Sequence, residues 1–497
     1  MKTLFNGSKN FLHRFSTKTC TSRTKPWILR SFASYCEREY ADEHIHETTT
    51  DNSSKILSYV EKVKIPLTSQ LKIITPTDDI PSGVWPAFRV VDEDGSLRNV
   101  TFERAYKTDE NIHDHNEVMM KLSSKYPDNQ FLLQSDLFRQ NSPDWNLSAD
   151  SDTANLLLKC HQYMIRLKEM DDVLLNAQRQ GRISFYLTCR GEEAITIGAA
   201  AALGSNQDIL LTQYREQGLF LWRGFTLEQF TSQTMSNDLD LGKGRQMPIH
   251  YGSRNLNIHT VSSCLGTQIP QAVGVGYKMK LEMLSDPSKP KRVTVAFFGE
   301  GAASTGDFHS AANFAATLKV PVIFFCRNNG YAISTKVTEQ YKGDGIVTRG
   351  RGYGMAAIRV DGNDVCAVFE ATNAAKKYAL EHSEPVLIEA ITYRQAHHST
   401  SDDSFSYRDK NEVEKIANSC DPFKRLNLFL VENDFLNDDQ IKELKETERN
   451  AVLRALLYSE KRPGTKQETM FQDVFEDIPL NLKRQEQTLL EHMKKYK

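Results

Sequence analysis

The sequence predicts an α/β fold: a parallel sheet flanked by helices. Three observations carry that expectation. A β-branched, apolar run from Val293 to Phe298 ends in Gly299-Glu300-Gly301-Ala302. A second apolar run, Val320 to Cys326, ends in Arg327-Asn328-Asn329-Gly330-Tyr331. Between them, the stretch from about Gly306 to Leu318 has the length of a helix. Short apolar runs bounded by Gly and Asn read as buried strands, and a helical connection makes them parallel. Ligands in open α/β sheets sit at the carboxyl ends of the strands, where both motifs lie. A carboxylate and an amide oxygen so placed suit Mg²⁺, a hard cation that takes oxygen ligands. Glycines beside Glu300 let backbone N–H groups approach a phosphate. A dinucleotide fingerprint does not fit, because Ser304 stands where its third glycine belongs and Gly306 comes two places late. On these residues alone, an ordinary βαβ unit with a Gly-Glu-Gly loop is the alternative.

The remaining elements follow in chain order. The first acidic residue is Glu37, and Lys2, Lys9, Arg14, Lys18, Arg23, Lys25 and Arg30 precede it among Ser, Thr, Phe and Leu. An acid-poor, basic, hydroxyl-rich start is the signature of an organelle transit peptide, expected over residues 1–33, with a mitochondrial processing site after Arg30-Ser31-Phe32. Residues 34–150 read as an irregular arm with little core of its own, carrying Pro76, Pro81 and Pro86 and a turn at Asp92-Glu93-Asp94-Gly95. His113-Asp114-His115 lies on a polar stretch there and reads as solvated surface. Helical periodicity begins near Leu156, and the α/β pattern runs to about Tyr393, giving a domain over 151–400. Residues 401–497 hold a hydroxyl- and charge-rich loop and a helical region, including Asp438–Ser459 and Leu482–Lys495, with Pro463 and Pro479 as breaks.

Composition narrows the class. A chain of 497 residues with 39% hydrophobic content can bury a large core. A net charge of −2 makes no case for nucleic acid, and no apolar run approaches a membrane span. The eight cysteines are scattered without CxxC spacing, which indicates neither a disulfide framework nor a zinc site. That suits a reducing compartment, where the triplets at Asn52, Asn99 and Asn146 are accidental glycosylation matches.

Glycine, acid, glycine and then about thirty residues to paired asparagines resembles the thiamine diphosphate signature, with Glu300 in place of the usual Asp. Further blocks narrow the resemblance to the alpha subunits of the decarboxylating component of branched-chain 2-oxoacid dehydrogenase complexes. These are Gln178-Arg179-Gln180-Gly181-Arg182-Ile183-Ser184-Phe185-Tyr186, Gly191-Glu192-Glu193-Ala194, Gln213-Tyr214-Arg215-Glu216, Leu241 to Pro248, and Ala396 to Asp403. The similarity covers about residues 151–497, with weaker matching from Val84 to Leu97. Pyruvate or acetoin dehydrogenase alpha subunits are the competing reading of the same chemistry, and the Gln178 to Tyr186 block argues against them. A non-catalytic scaffold that keeps the fold is a second, opposed by the intact Glu300, Asn329, Arg215 and His398.

The resemblance implies a thiamine diphosphate-binding fold and a set of roles. Glu300 and Asn329 would hold Mg²⁺ through their side chains and Tyr331 through its carbonyl. Tyr214, Arg215, Arg327 and His398 would meet the diphosphate, His398 being also the catalytic residue, while Ser263, Leu265, Gly301 and Ala302 line the cofactor. A guanidinium offers a diphosphate bidentate contacts. A K⁺ site maps to Ser262, Cys264, Thr267 and Gln268, with Cys264 standing where the family has proline. Ser399 takes the position of a regulatory phosphoserine, and the family's second one aligns with Asp409. The segment from about Asn99 to Ser148 is longer than the family leads one to expect and has no assigned role. The implied reaction is oxidative decarboxylation of branched-chain 2-oxo acids, with the acyl group passed to a lipoyl group on the acyltransferase component. Thiamine enzymes need a second α/β module for the pyrimidine ring, and this chain has none. The resemblance supplies it as a beta subunit in an α2β2 heterotetramer, with a regulatory kinase and phosphatase as further partners, in the mitochondrial matrix.

Overall fold

In the computed structural model of the chain, the described residues are 56–57, 65–78, 80, 83–102, 125, 156–203 and 207–496. The expected transit peptide and its processing site, Pro81, His113-Asp114-His115, Asn52, Asn146 and most of the 99–148 segment lie outside them.

Thirteen strands are found among the described residues: β1 (Ile56–Leu57), β2 (Ile65–Thr68), β3 (Gln70–Leu71), β4 (Ala87–Phe88), β5 (Thr101–Phe102), β6 (Ile209–Leu211), β7 (Ile258–His259), β8 (Thr294–Gly299), β9 (Val322–Asn328), β10 (Tyr331–Ala332), β11 (Thr335–Lys336), β12 (Ala356–Asp361) and β13 (Val386–Ile391). Nine of them build the central sheet in the order β1-β2-β4-β12-β13-β9-β8-β6-β7. Every neighbouring pair is parallel except β1 with β2 at one edge.

The strands β9, β12 and β13 are buried along their whole length because both faces are covered, and most of their residues are apolar. Alternation at period two still sorts their side chains between two cores. Val295 and Phe297 of β8, Ile323 and Phe325 of β9, and Ile388 and Ala390 of β13 face one core. Ala296, Phe298, Val322, Phe324, Cys326 and Leu387 face the other. The first core is covered by helices α1 (Leu156–Arg179) and α2 (Glu193–Ala202) together with α7 (Val365–His382); the second by α5 (Gln268–Ser285) and α6 (Gly306–Thr317). Between α2 and α5 run α3 (Gln217–Trp222) and α4 (Leu227–Met235). Asp364 caps α7 by accepting the N–H groups of Cys366 and Ala367.

The expected strand from Val320 to Cys326 begins later and ends later. Pro321 has no N–H to give the ladder, so pairing starts at Val322. It continues because Arg327 pairs with Gly299 and Ala390, and Asn328 with Ile391. The arm has no core of its own among the described residues. Instead β2 and β4 extend the main sheet, Trp85 joins the second core, and Phe88, Val90, Val91 and Val100 join the first. The C-terminal region is helical as expected: α8 (Lys410–Ser419), α9 (Pro422–Glu432), α10 (Asp438–Glu460) and α11 (Leu480–Lys495). Asn437 and Gln440 form a capping box at the start of α10. No residue of α11 is buried. Among the described residues, no helix is long and apolar enough to cross a membrane.

Candidate functional site

The register of β8 with β9 sets Gly299 against Arg327, so the two motifs leave the sheet at one level. Glu300 is buried there, with only 2% of its surface exposed. Its Oε2 accepts the N–H of Asn329 at a long 3.4 Å. Among the described residues, its buried Oε1 has no hydrogen-bond partner. Burial, and after it the charge of Glu192, push the Glu300 carboxyl up to about 7. A buried oxygen left without a donor is what an incoming cation would satisfy, so the residues present fit a Mg²⁺ site.

The paired asparagines have different tasks. The Asn329 Nδ2 donates to Glu192 Oε1 at 2.9 Å, and its Oδ1 accepts the N–H of Tyr331 at 3.2 Å. Asn328 turns away and donates to Glu389 Oε1 of β13 and to the Tyr341 hydroxyl. The two glycines also differ. A Cβ at Gly301 would lie 2.8 Å from the Ala332 Cβ, whereas one at Gly299 would meet nothing nearer than the Arg327 carbonyl at 3.9 Å. Gly301 is therefore the glycine that close packing requires.

A pocket at this level is lined by Tyr214, Arg215, Leu265, Glu300, Gly301, Ala302, Arg327, Asn329, Tyr331 and His398, together with Gln213, Gly299, Ala332, Ile333 and Arg394. Most of the residues expected at the cofactor thus come together. The two arginines line the pocket, but not as unengaged forks. Arg327 donates from Nε to Glu216 at 2.6 Å, from Nη2 to Gln213 at 2.5 Å, and from Nη1 to Glu192. Arg215 gives Nη1 to the Thr188 carbonyl at 2.6 Å and Nη2 to the His398 carbonyl. Ser263 is not among the lining residues; its hydroxyl turns to His250 Nε2 at 2.6 Å.

His398 is the histidine of its pair that reaches the pocket. Its Nε2 lies 3.3 Å from the Tyr214 hydroxyl. Burial, then the charges of Arg215 and Arg394, push its pKa down to about 3, so the imidazole is neutral. His397 instead takes the N–H and hydroxyl of Ser404 on its Nδ1. The 396–408 loop is braced at several points. Asp402 Oδ2 accepts the His398 N–H and the Tyr407 hydroxyl, both at 2.7 Å. Arg408 donates to the carbonyls of Arg394 and Ala396 at 2.5 and 2.8 Å. Ser399 is half-buried on this loop, and its carbonyl accepts the Asp402 N–H at 3.2 Å. Asp409 is exposed and caps α8.

The four residues expected for K⁺ stand around one turn, with Gly266 at φ +85°. The turn is closed by its own hydrogen bonds: Ser262 Oγ accepts the Cys264 N–H, the Cys264 carbonyl accepts the Thr267 hydroxyl, and Gln268 Nε2 donates to the Phe297 carbonyl.

Glu192 and Glu216 are two residues beside the site to which sequence reasoning gave no role. Each stands at the N-terminus of a helix, α2 and α3 respectively, and both carboxylates converge on Arg327. Both fell within the blocks that carried the resemblance, yet nothing local to either block announces a partner more than a hundred residues away.

The model of the family described as "Dehydrogenase E1 component" matches residues 161–468. The chain is similar to the 2-oxoisovalerate dehydrogenase subunit alpha, mitochondrial, of Dictyostelium discoideum, with 46% identity over 80% of this chain and 88% of that one. It is 48% identical to the protein of the same name from Homo sapiens, over 68% of this chain and 75% of that one. The Caenorhabditis elegans protein of that name is 49% identical over 68% and 77%. With more than half its length matched, the chain belongs to the dehydrogenase E1 component family.

Proposed function

We propose that this chain is the alpha subunit of the branched-chain 2-oxo acid dehydrogenase (3-methyl-2-oxobutanoate dehydrogenase), acting in the mitochondrial matrix with a beta subunit. The family and its relatives support the activity. The observation that carries the site is the buried Glu300 carboxyl at the end of β8, whose Oε2 accepts the Asn329 N–H and whose Oε1 has no hydrogen-bond partner among the described residues. Bound there, thiamine diphosphate with Mg²⁺ supplies the electron sink for decarboxylation of a branched-chain 2-oxo acid.

The chain's own residues bind, orient and exclude water. Glu300, Asn329 and the Tyr331 carbonyl would hold Mg²⁺. Gly301 and Ala302, which line the pocket, would give the diphosphate backbone approach. Arg215, held by the Thr188 and His398 carbonyls, brings positive charge to the pocket, while Arg327 lines it with its own charge met by Glu192 and Glu216. The neutral His398 imidazole can exchange a hydrogen bond with the Tyr214 hydroxyl or with the ligand at the pocket mouth. Ser262, Cys264, Thr267 and Gln268 are the proposed K⁺ turn, and Ser263 and Leu265 carry that turn past the cofactor. The carboxylate that activates the pyrimidine comes from the beta subunit, the acyl group leaves on the lipoyl-bearing acyltransferase, and Ser399 is the site of control by a kinase and phosphatase.

Co-purifying the chain with its beta partner and assaying a panel of 2-oxo acids tests this reading. Branched-chain 2-oxo acids should be the preferred substrates, and turnover should need both chains. Robust decarboxylation by the chain alone overturns the shared site.

A further inference from the structure

Asn329 can hold a cation only if its amide presents oxygen rather than nitrogen. The backbone at the end of β9 places the residue, but it leaves the amide free to rotate by half a turn. Two contacts remove that freedom. Nδ2 donates to Glu192 Oε1 at 2.9 Å, and Oδ1 accepts the Tyr331 N–H at 3.2 Å. The Glu192 contact is the discriminating one, because a carboxylate accepts from NH₂ and repels an amide oxygen. Glu192 is 1% exposed, and its second oxygen is held by Arg327. Arg327 is in turn fixed by Glu216 and Gln213, so the carboxylate has no alternative place to go.

We infer that Glu192 is a positioning residue that aims the Asn329 amide oxygen at the Mg²⁺ of the cofactor. The inference rests on the proposed function. Glu192 is not among the residues that line the pocket, and it acts through Asn329. Glu192 is the residue from which α2 starts, so the start of that helix is tied to the loop after β9 through Asn329.

The test uses the assembled complex with its beta subunit and reads the Mg²⁺ concentration that half-saturates thiamine diphosphate binding, followed by circular dichroism or intrinsic fluorescence. Glu192→Leu removes the acceptor and should raise that concentration at least about tenfold, as expected when the hydrogen-bond partner of a metal ligand is lost. Glu192→Gln keeps an oxygen for Asn329 Nδ2 and should stay within about threefold of the native complex. Asn329→Ala should lose as much as Glu192→Leu, and the double variant should lose no more than either alone, because the two act on one ligand. The inference falls if Glu192→Leu binds Mg²⁺ as the native complex does, if the two losses add, or if a folded Glu192→Gln complex loses as much as Asn329→Ala. The last comparison decides the matter even if the Leu variant does not assemble. Failure of the native complex to bind thiamine diphosphate with Mg²⁺ overturns the proposed function itself, an outcome distinct from any of these.

Discussion

Asp361 and Glu300 are both buried acids at the carboxyl ends of parallel strands of one sheet, and their surroundings are opposite. Asp361 closes β12, and its Oδ2 takes Arg89 Nε at 2.6 Å and Arg425 Nη1 at 2.7 Å. Its Oδ1 accepts the Asn363 N–H at 3.0 Å. Burial raises its pKa, but Arg425 and Arg89 outweigh burial and hold the carboxyl well below the usual carboxylate range. Glu300 has one long contact from a backbone N–H, and the nearest arginine, Arg327, is already engaged by two other carboxylates. The first acid is satisfied by the fold, and the second is left for something the fold does not contain. Burial alone therefore does not mark a candidate site; Glu300 is set apart by a buried oxygen that has no donor among the described residues.

The largest effect should come from breaking the satisfied acid. Asp361→Asn leaves two buried guanidinium groups facing a neutral amide and should cost about 3–5 kcal/mol of stability. Because the folded pKa is depressed, the Asp361 contribution is fully present above the unfolded value near 4 and is lost as pH falls through the folded one. The gap between native and variant should thus be widest at neutral pH and close in acid. Denaturant unfolding at several pH values, followed through buried Trp85, would show it, and an unchanged midpoint at pH 7 would refute the role of this pair.

Glu300→Gln should behave in the opposite way. Removing an uncompensated buried charge should leave the cofactor-free protein as stable as before or more so. Its loss appears only with the ligand, at about 1.5–3 kcal/mol of thiamine diphosphate and Mg²⁺ affinity, the range for a charged polar partner. Parallel melting curves and cofactor titrations separate the two effects. Unchanged affinity would remove Glu300 from the metal site.

Which parts of this contrast could be read from sequence follows from the range over which each contact acts. The β8–α6–β9 unit was legible because its apolar runs and helix are local patterns, and both strands run one or two residues later than expected, the start of β9 because Pro321 has no N–H to give. Glu300, Asn329 and His398 could be named because each stands in a short motif that carries the resemblance, and all three line one pocket. The roles of Glu192 and Glu216 were not legible, since their partner Arg327 comes from a different strand, and a lone acid beside a helix start looks like ordinary N-terminal charge. The same holds for Arg89, Asp361 and Arg425, which meet from three regions. The arm read as irregular because β2 and β4 are short and become strands only by adding to an edge that the later chain supplies.

A smaller effect should separate the two glycines of the loop. Gly301→Ala pushes a methyl to 2.8 Å from the Ala332 Cβ, so the β10 turn must shift, at about 1–2 kcal/mol. Gly299→Ala meets only the Arg327 carbonyl at 3.9 Å, an ordinary contact, and should leave the melting temperature of the cofactor-free protein where it was. Equal shifts in the two variants would mean that the loop tolerates crowding and that Gly301 is not needed for its shape.

The smallest effect on stability should come from Ser399, on the loop that carries His398. Asp402 is the brace of that loop, since one oxygen accepts both the His398 N–H and the Tyr407 hydroxyl. A phosphoserine at 399 adds roughly −1.5 to −2 charge at neutral pH, beside Asp402 and Asp403. Like-charge repulsion should weaken the brace and let His398 leave the pocket mouth, without touching either core. Ser399→Glu is a partial mimic and should cost about 0.5–1 kcal/mol in the order of the loop, a scale set by neighbouring like charges. Hydrogen exchange over residues 396–408 should quicken and overall complex activity should fall, while the melting temperature holds. Ser399→Ala should change neither exchange nor activity. Native-like exchange and activity in Ser399→Glu would show that the Asp402 brace withstands the added charge, and would remove the proposed control site from this loop.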